Sequence, residues 1–183
     1  FHMNPELGDN TVNTAEYIKK RLGGMNCRVF SPIPNSVCAF FDFGREETAA
    51  FRSDMDALPV TEKTGLEFAS KADGRMHACG HDGHMAMLLE FARHLGGLAG
   101  DAKRNALLIF QPAEETLGGA AFMVEKGVLQ DVTEAYCMHV RSDPRVGLFY
   151  TMNGCINASC DNFDVIVRGK GCHGAYPEGG VDA

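Results

Sequence analysis

Apolar residues recur along this chain with two periods, and they divide it into alternating helices and strands. Over TVNTAEYIKKRLGG (11–24), Ala15, Ile18 and Leu22 share one face at helical spacing, and Gly23-Gly24 predicts the stop. SVCAFFDF (36–43) predicts a strand that ends at Gly44, and TAAFRSDMDALP (48–59) a short apolar strand running into Asp54 and Asp56. From Asp82, a good capping residue, Met85, Leu88, Leu89, Ala92 and Leu95 mark a second helix. NALLIFQPAEE (105–115) predicts a buried strand followed by a polar turn, and GGAAFMVEKG (118–127) a short helix. EAYCMHV (134–140), GLFYTMN (147–153) and DNFDVIVRGKG (161–171) predict further strands, the last alternating at Phe163, Val165 and Val167.

Strands alternating with helices imply an α/β layer architecture around a largely parallel or mixed sheet. Sites in such sheets form beyond the carboxyl ends of the strands. The polar clusters fall there: Asp54 and Asp56, Glu114 and Glu115, and His139 each terminate an apolar run. There is no internal repeat and no low-complexity tract.

At 183 residues and 45% apolar, the chain can bury one hydrophobic core, as one domain or slightly more. Net charge is −7, and the longest basic block is Lys19-Lys20-Arg21, which argues against nucleic acid as a partner. No apolar run approaches the roughly 20 residues of a membrane helix. Cysteines at 27, 38, 79, 137, 155, 160 and 172 show no disulfide framework, which points to a reducing, cytoplasmic setting. Cys27, Cys38 and Cys137 read as small core residues. The opening FHMNPELG lacks an initiator Met and the chain stops on GGVDA, so both ends read as cut.

HACGHDGH (77–84) packs three histidines, a cysteine and an aspartate into eight positions. With the strand-end groups, the candidates are Asp54, Asp56, His77, Cys79, His81, Glu114, Glu115 and His139. Thiolate, imidazole and carboxylate together form a zinc-type donor set that also suits Mn²⁺, Co²⁺ or Ni²⁺. Gly80 lets Cys79 and His81 turn toward one point. The adjacent Glu114 and Glu115 point different ways, so one can hold metal while the other faces water as a base. Singly, each cluster has a bland reading: the Glu pair complements a helix dipole, the Asp pair caps a turn, His139 is a satisfied core histidine. Idle together, they would be costly. A Cys79 nucleophile activated by histidine leaves the carboxylates unexplained, and a redox role has no second cysteine at CxxC spacing. Asp82 is expected to cap the helix and His84 to be exposed or structurally hydrogen-bonded. His77 stays open between a place behind the ligands and none.

FRSDMDALP (51–59), GRMHACGHDGH (74–84), IFQPAEE (109–115), MHV (138–140) and GKGCHGAYP (169–177), with NPELG (4–8) ahead of them, resemble the M20 metallopeptidase family. The resemblance is to its amidohydrolase branch, which includes hippurate hydrolases, N-acyl-L-amino-acid amidohydrolases, N-acetyldiaminopimelate deacetylases and plant auxin-conjugate hydrolases. It implies a zinc-exopeptidase-like mixed sheet flanked by helices over residues 1–160. The start of an inserted α+β lid or dimerisation domain would follow over 161–183. It also implies two divalent metal ions, Zn²⁺ or Mn²⁺, with Co²⁺ or Ni²⁺ as alternatives. Cys79 would be shared by both, His81 and His139 would complete one position, and Glu115 would bind the other.

By the same resemblance Glu114 is the base, and Asp56 sits behind the ligands and orients one. Asp54 stands where relatives outside this branch carry a metal-binding histidine and is not expected to ligate. His173 resembles the lid histidine that approaches the substrate carbonyl, often from the partner subunit of a homodimer; Glu178 stands where the family more often has a second histidine. The implied activity is hydrolysis of the amide of N-acyl amino acids. The alternatives are a dipeptidase or aminopeptidase-like hydrolase of the same fold, and an inactive truncated scaffold. A further metal-binding histidine of the family lies beyond residue 183, so this chain alone is expected to be nearly inactive.

Overall fold

The computed structural model describes residues 1–98, 100–116, 118–142, 145–159 and 163–183. Contacts divide it into two compact units, Phe1–Asp143 and Pro144–Ala183. The change of domain expected at 160–161 lies outside the described residues.

The first unit is built on a five-stranded mixed sheet. Its strands are β1 (Arg28–Phe30), β2 (Val37–Phe41), β3 (Thr48–Asp54), β4 (Asn105–Gln111) and β5 (Glu134–Cys137), in the spatial order β1-β2-β4-β3-β5. β1 and β2 pair antiparallel, as do β2 and β4, whereas β3 runs parallel to both β4 and β5. Every residue of β4 is buried, which explains its unbroken apolar run: a central strand covered on both faces needs no alternation. Its side chains divide by parity. Ala106, Leu108 and Phe110 join Val37, Ala39 and Phe41 against helices α1 (Val12–Leu22) and α2 (His81–Leu95). Leu107 and Ile109 join Cys38, Ala50 and Met123 of α3 (Gly119–Glu125) on the opposite face.

This topology positions the site. Asp54 pairs with Gln111 in register, so the carboxyl ends of β3 and β4 are level, and β5 ends beside them at Cys137, opposite Arg52. The segment linking β3 to β4 carries α2, whose amino end returns to the same edge of the sheet. Residues from four chain segments therefore meet along one line.

The second unit holds a 3₁₀ turn at Pro177–Gly179 and one antiparallel bridge, Lys170↔Val181. The strands expected at 147–153 and 161–171 are not formed among the described residues; Asp161 and Asn162 lie outside them. Phe163, Val165 and Val167 alternate as a strand would, yet each is more than 60% exposed (85%, 74% and 67%). Alternation encodes a face, and a strand forms only where a ladder partner takes up its backbone groups. Three-residue β1 went unpredicted because its exposed edge position leaves no apolar signature. Cys38 is buried as expected and Cys27 half-buried. Cys137 is exposed, because the far side of β5 is an open sheet edge among the described residues. No helix of the described residues is long and apolar enough to cross a membrane.

Candidate metal centre

Asp56 organises the glutamate pair. Its fully buried carboxylate accepts the backbone N–H of Glu114 at Oδ1 (2.9 Å) and of Glu115 at Oδ2 (3.1 Å). Just before the pair, Ala113 takes a left-handed backbone (φ 56°), held by its N–H donating to Gly8 O at 2.9 Å. A non-glycine residue in that region is strained, and the turn it makes swings both glutamates off the end of β4 toward the amino end of α2.

Three histidines face the same place, and their partners define which nitrogen is free. His81 Nδ1 lies 2.7 Å from the backbone carbonyl of Asp56, which can only accept, so Nδ1 carries a proton and Nε2 is the nitrogen left to meet a metal. His139 Nδ1 likewise meets Val140 O at 2.7 Å, leaving its Nε2 toward Cys79 Sγ at 3.3 Å. His84 differs. Its Nε2 accepts the N–H of Val140 (2.9 Å) and its Nδ1 donates to Asp54 Oδ1 (2.6 Å), so both ring nitrogens are engaged. The expectation of a structural hydrogen bond at His84 holds, and the ring is buried.

Potential ligand atoms of Cys79, His81 and His139 lie within 4.8 Å of one another, and so do those of His81, Glu114 and Glu115. A third set, Asp54, His81 and His84, is equally close. There His84 has no free lone pair, and Asp54 is spent on His84 and on Arg52 Nη1 at 3.1 Å. The first two sets share His81 and amount to adjoining positions for divalent metal.

The donor set has the charge and the open valences of a metal site. His81 Nε2 and Glu115 Oε1 are buried with no hydrogen-bond partner. Unpaired buried polar atoms cost of order 1–3 kcal/mol each, so both await a cation. Burial, then the hydrogen bond and charge of Glu115, then Glu114 and Asp54, push the Cys79 thiol up to about 12. That is unsuited to a free nucleophilic thiolate and relieved by a divalent ion among the same carboxylates. Burial also pushes Asp56 up, against the two N–H donors that favour its charged form. It pushes Asp54 the same way, but there the bond from His84 and the charges of His81 and Arg52 prevail and hold the carboxyl down.

Residues 50–161 match the family model described as peptidase family M20/M25/M40. The chain belongs to this family. Its relatives include the N-acetylcysteine deacetylase of Bacillus subtilis (strain 168), 38% identical over all of this chain and 49% of that protein. The thermostable carboxypeptidase 1 of Saccharolobus solfataricus is 42% identical over all of this chain and 48% of its own length. Among solved structures, the YXEP protein of Bacillus subtilis, described as a dinuclear metal binding peptidase of the M20 family, superimposes with a TM-score of 0.75 and 38% identity. The match covers 78% of this chain and 40% of that one. The M20 chain thus spans about half the length of these relatives.

The remaining expected residues fall as follows. Asp82 is not the helix cap: Gly80, left-handed at φ 85°, precedes α2, and Asp82 sits inside its first turn. There its carboxylate pairs with His2 Nδ1 at 2.7 Å, while His2 Nε2 lies 3.2 Å from Glu62. Burial works against a charged His2, but the bonds to Glu62 and Asp82 outweigh it and raise its pKa. His77 is buried with neither ring nitrogen partnered, and burial pushes it down to about 4, keeping it neutral. His173 lies in the second unit, where its Nδ1 accepts the N–H of Ala175 (3.2 Å) and its ring tilts against Tyr176. Sequence reasoning did not foresee the Asp54–His84 pair, although the one-turn spacing from His81 to His84 on α2 puts both on one helical face.

Proposed function

We propose that this chain is the metal-binding part of a hydrolase that cleaves the amide bond of N-acyl amino acids. The observation that carries the reading is the convergence of Cys79, His81 and His139 with the Glu114–Glu115 pair, in which His81 Nε2 and Glu115 Oε1 are buried and unpartnered. In this reading Cys79 serves both metal positions, His81 and His139 complete one, and Glu115 belongs to the other. Zn²⁺ or Mn²⁺ suit this mixed set best, with Co²⁺ and Ni²⁺ as substitutes. Divalent metal held by these residues would lower the pKa of a bound water and polarise the acyl carbonyl.

The protein's own groups carry the protons. Glu114 is the more exposed of the two glutamates (side chain 40% against 22%), so it is the one open to substrate. Its carboxylate takes the proton of the attacking water and hands it to the leaving amine, which departs neutral. Asp56 fixes the backbone from which Glu114 works. His173 is assigned to the substrate's acyl oxygen, where a hydrogen-bond donor stabilises developing negative charge. With it we assign residues 161–183 to the beginning of a lid or dimerisation domain, and the whole protein to a cytoplasmic homodimer.

The relatives' names divide between a deacetylase and a carboxypeptidase, which favours a peptide hydrolase as the second reading. The same machinery cuts either amide. A panel of N-acetyl and N-benzoyl amino acids set against dipeptides, assayed on the longer protein with and without EDTA, separates the two. Chelator-sensitive turnover of the acyl amino acids is the expected result. Preference for dipeptides would move the assignment to a peptidase, and turnover indifferent to chelator would overturn the metal reading.

A further inference from the structure

His139 stands beyond the last ladder pair of β5, Arg52↔Cys137, so pairing within the sheet does not hold it. It is also exposed, yet its Nε2 comes to 3.3 Å from Cys79 Sγ. We propose that His84 is the positioning residue that places His139, by accepting the backbone N–H of Val140 within a chain of hydrogen bonds whose Asp54–His84 link is buried. The inference deepens the proposed metal reading and rests on it for its purpose, though not for its geometry.

The chain can be followed bond by bond. Gln111, at the end of β4, accepts Arg52 Nε at 2.9 Å. Arg52 reaches Asp54 Oδ2 with Nη1 at 3.1 Å. Asp54 Oδ1 takes the Nδ1 proton of His84 at 2.6 Å, and His84 Nε2 takes the Val140 N–H at 2.9 Å. Val140 O then takes the Nδ1 proton of His139 at 2.7 Å. The Val140 N–H at Nε2 and Asp54 at Nδ1 fix the tautomer of His84, and Val140 O places a proton on Nδ1 of His139. Two strand ends and one helix are thereby tied to a segment that has left the sheet.

Three features make His84 the pivot. Its ring is buried, as is the Asp54 carboxylate, so the pair is rigid and its bonds are shielded from water. A backbone N–H can only donate, so Nε2 is held as an acceptor and the ring is withheld from metal, although it lies as close to His81 as a ligand would. The ring also stands edge-on to His139, with centroids 4.7 Å apart, so the same side chain limits where His139 can turn. Val140 also sits against Gly80, where any Cβ would collide with its Cγ2.

The experiment separates the two ends of the imidazole. His84→Asn keeps a donor near the Nδ1 position and removes the acceptor for Val140; His84→Gln keeps an acceptor near Nε2 and removes the donor to Asp54. Amide hydrogen exchange at Val140 is measured by NMR, and Co²⁺ alone is titrated while the thiolate-to-metal absorption of Cys79 is followed. In His84→Asn, Val140 is expected to exchange about tenfold faster, and Co²⁺ to bind about 10–100-fold more weakly. His84→Gln, which keeps the acceptor but loses the bond to Asp54, should stay closer to the parent than His84→Asn in both. Val140→Pro removes the same bond from the loop side while leaving the buried Asp54–His84 pair whole, and should weaken Co²⁺ binding as His84→Asn does. Equal Val140 exchange in the parent and both His84 variants overturns the proposal, as does a loss confined to His84→Gln. A parent protein that takes up no Co²⁺ would overturn the metal reading alone, since Val140 exchange still decides whether His84 is the tether.

Discussion

Asp56 holds His81 with its backbone carbonyl and the two glutamates with its carboxylate: Nδ1 of His81 donates to Asp56 O at 2.7 Å, while the N–H groups of Glu114 and Glu115 converge on Oδ1 and Oδ2. One residue just past the end of β3 thus registers donors from α2 and from the turn after β4. The two functions are chemically separable, because only the second belongs to the side chain.

Asp56→Asn tests that separation. The amide keeps one acceptor oxygen and turns an NH₂ toward the other backbone N–H, leaving a buried donor unpaired. A cost of about 1–3 kcal/mol in urea unfolding is expected. The carbonyl that orients His81 is untouched, so metal analysis of the longer protein should show the position that includes Glu115 emptied before the one that includes His139. Equal loss at both positions would contradict the division of labour.

Glu114→Gln should leave metal content unchanged and lower turnover of the longer protein by about 10²–10⁴-fold. Its backbone N–H still reaches Asp56 Oδ1, so the fold around the pair is preserved. Glu115→Gln should do the reverse in order, weakening metal first. Near-normal turnover of Glu114→Gln at full metal content would remove the base assignment.

Gly80→Ala meets two obstacles at once, a left-handed backbone (φ 85°) and the side chain of Val140. The conformation alone costs of order 1–2 kcal/mol, and the collision moves the segment carrying His139. Reduced thermal stability together with weaker metal binding is expected. Adding Val140→Ala should recover part of the metal binding, because it clears the collision, and little of the stability, because the backbone strain stays. Full recovery of both would show that φ at residue 80 is immaterial.

The apolar pattern made the first unit legible because burial there is regular. β4 is buried along its whole length, and Ala15, Ile18 and Leu22 of α1 are buried at helical spacing. The site was legible for a related reason: ionisable residues that end apolar runs must leave the sheet on one side when the strands run parallel. What escaped is whatever depends on partners distant in sequence. His2 meets Asp82 across 80 positions, so a residue of good capping type inside HACGHDGH is diverted to a salt bridge while Gly80 begins the helix. His84 reads as one more histidine in a rich stretch, since nothing local tells that Asp54 and Val140 occupy its two nitrogens. Cys137 carries a core residue's chemistry but lies on an edge strand, and edges are set by topology, not by composition.

Glu6 gives the acid limb of stability a specific source. Thr11, which precedes α1, makes no side-chain cap; instead Glu6 accepts the N–H groups of Asn13 (3.2 Å) and Thr14 (2.8 Å) and the side-chain amide of Asn13 (2.8 Å). Burial alone would raise its pKa, but these bonds favour the carboxylate and lower it. A depressed folded-state pKa means that the bonus is complete above the unfolded value and disappears as pH falls through the folded one. Glu6→Gln should therefore cost about 1 kcal/mol at pH 7, the usual worth of a helix cap, or somewhat less because the site is partly solvated. The cost should shrink toward zero once pH falls below the ordinary glutamate range. Urea unfolding of both proteins across that range checks the sign: a parent–variant gap that is constant with pH would mean the Glu6 charge contributes nothing to holding the amino end of α1.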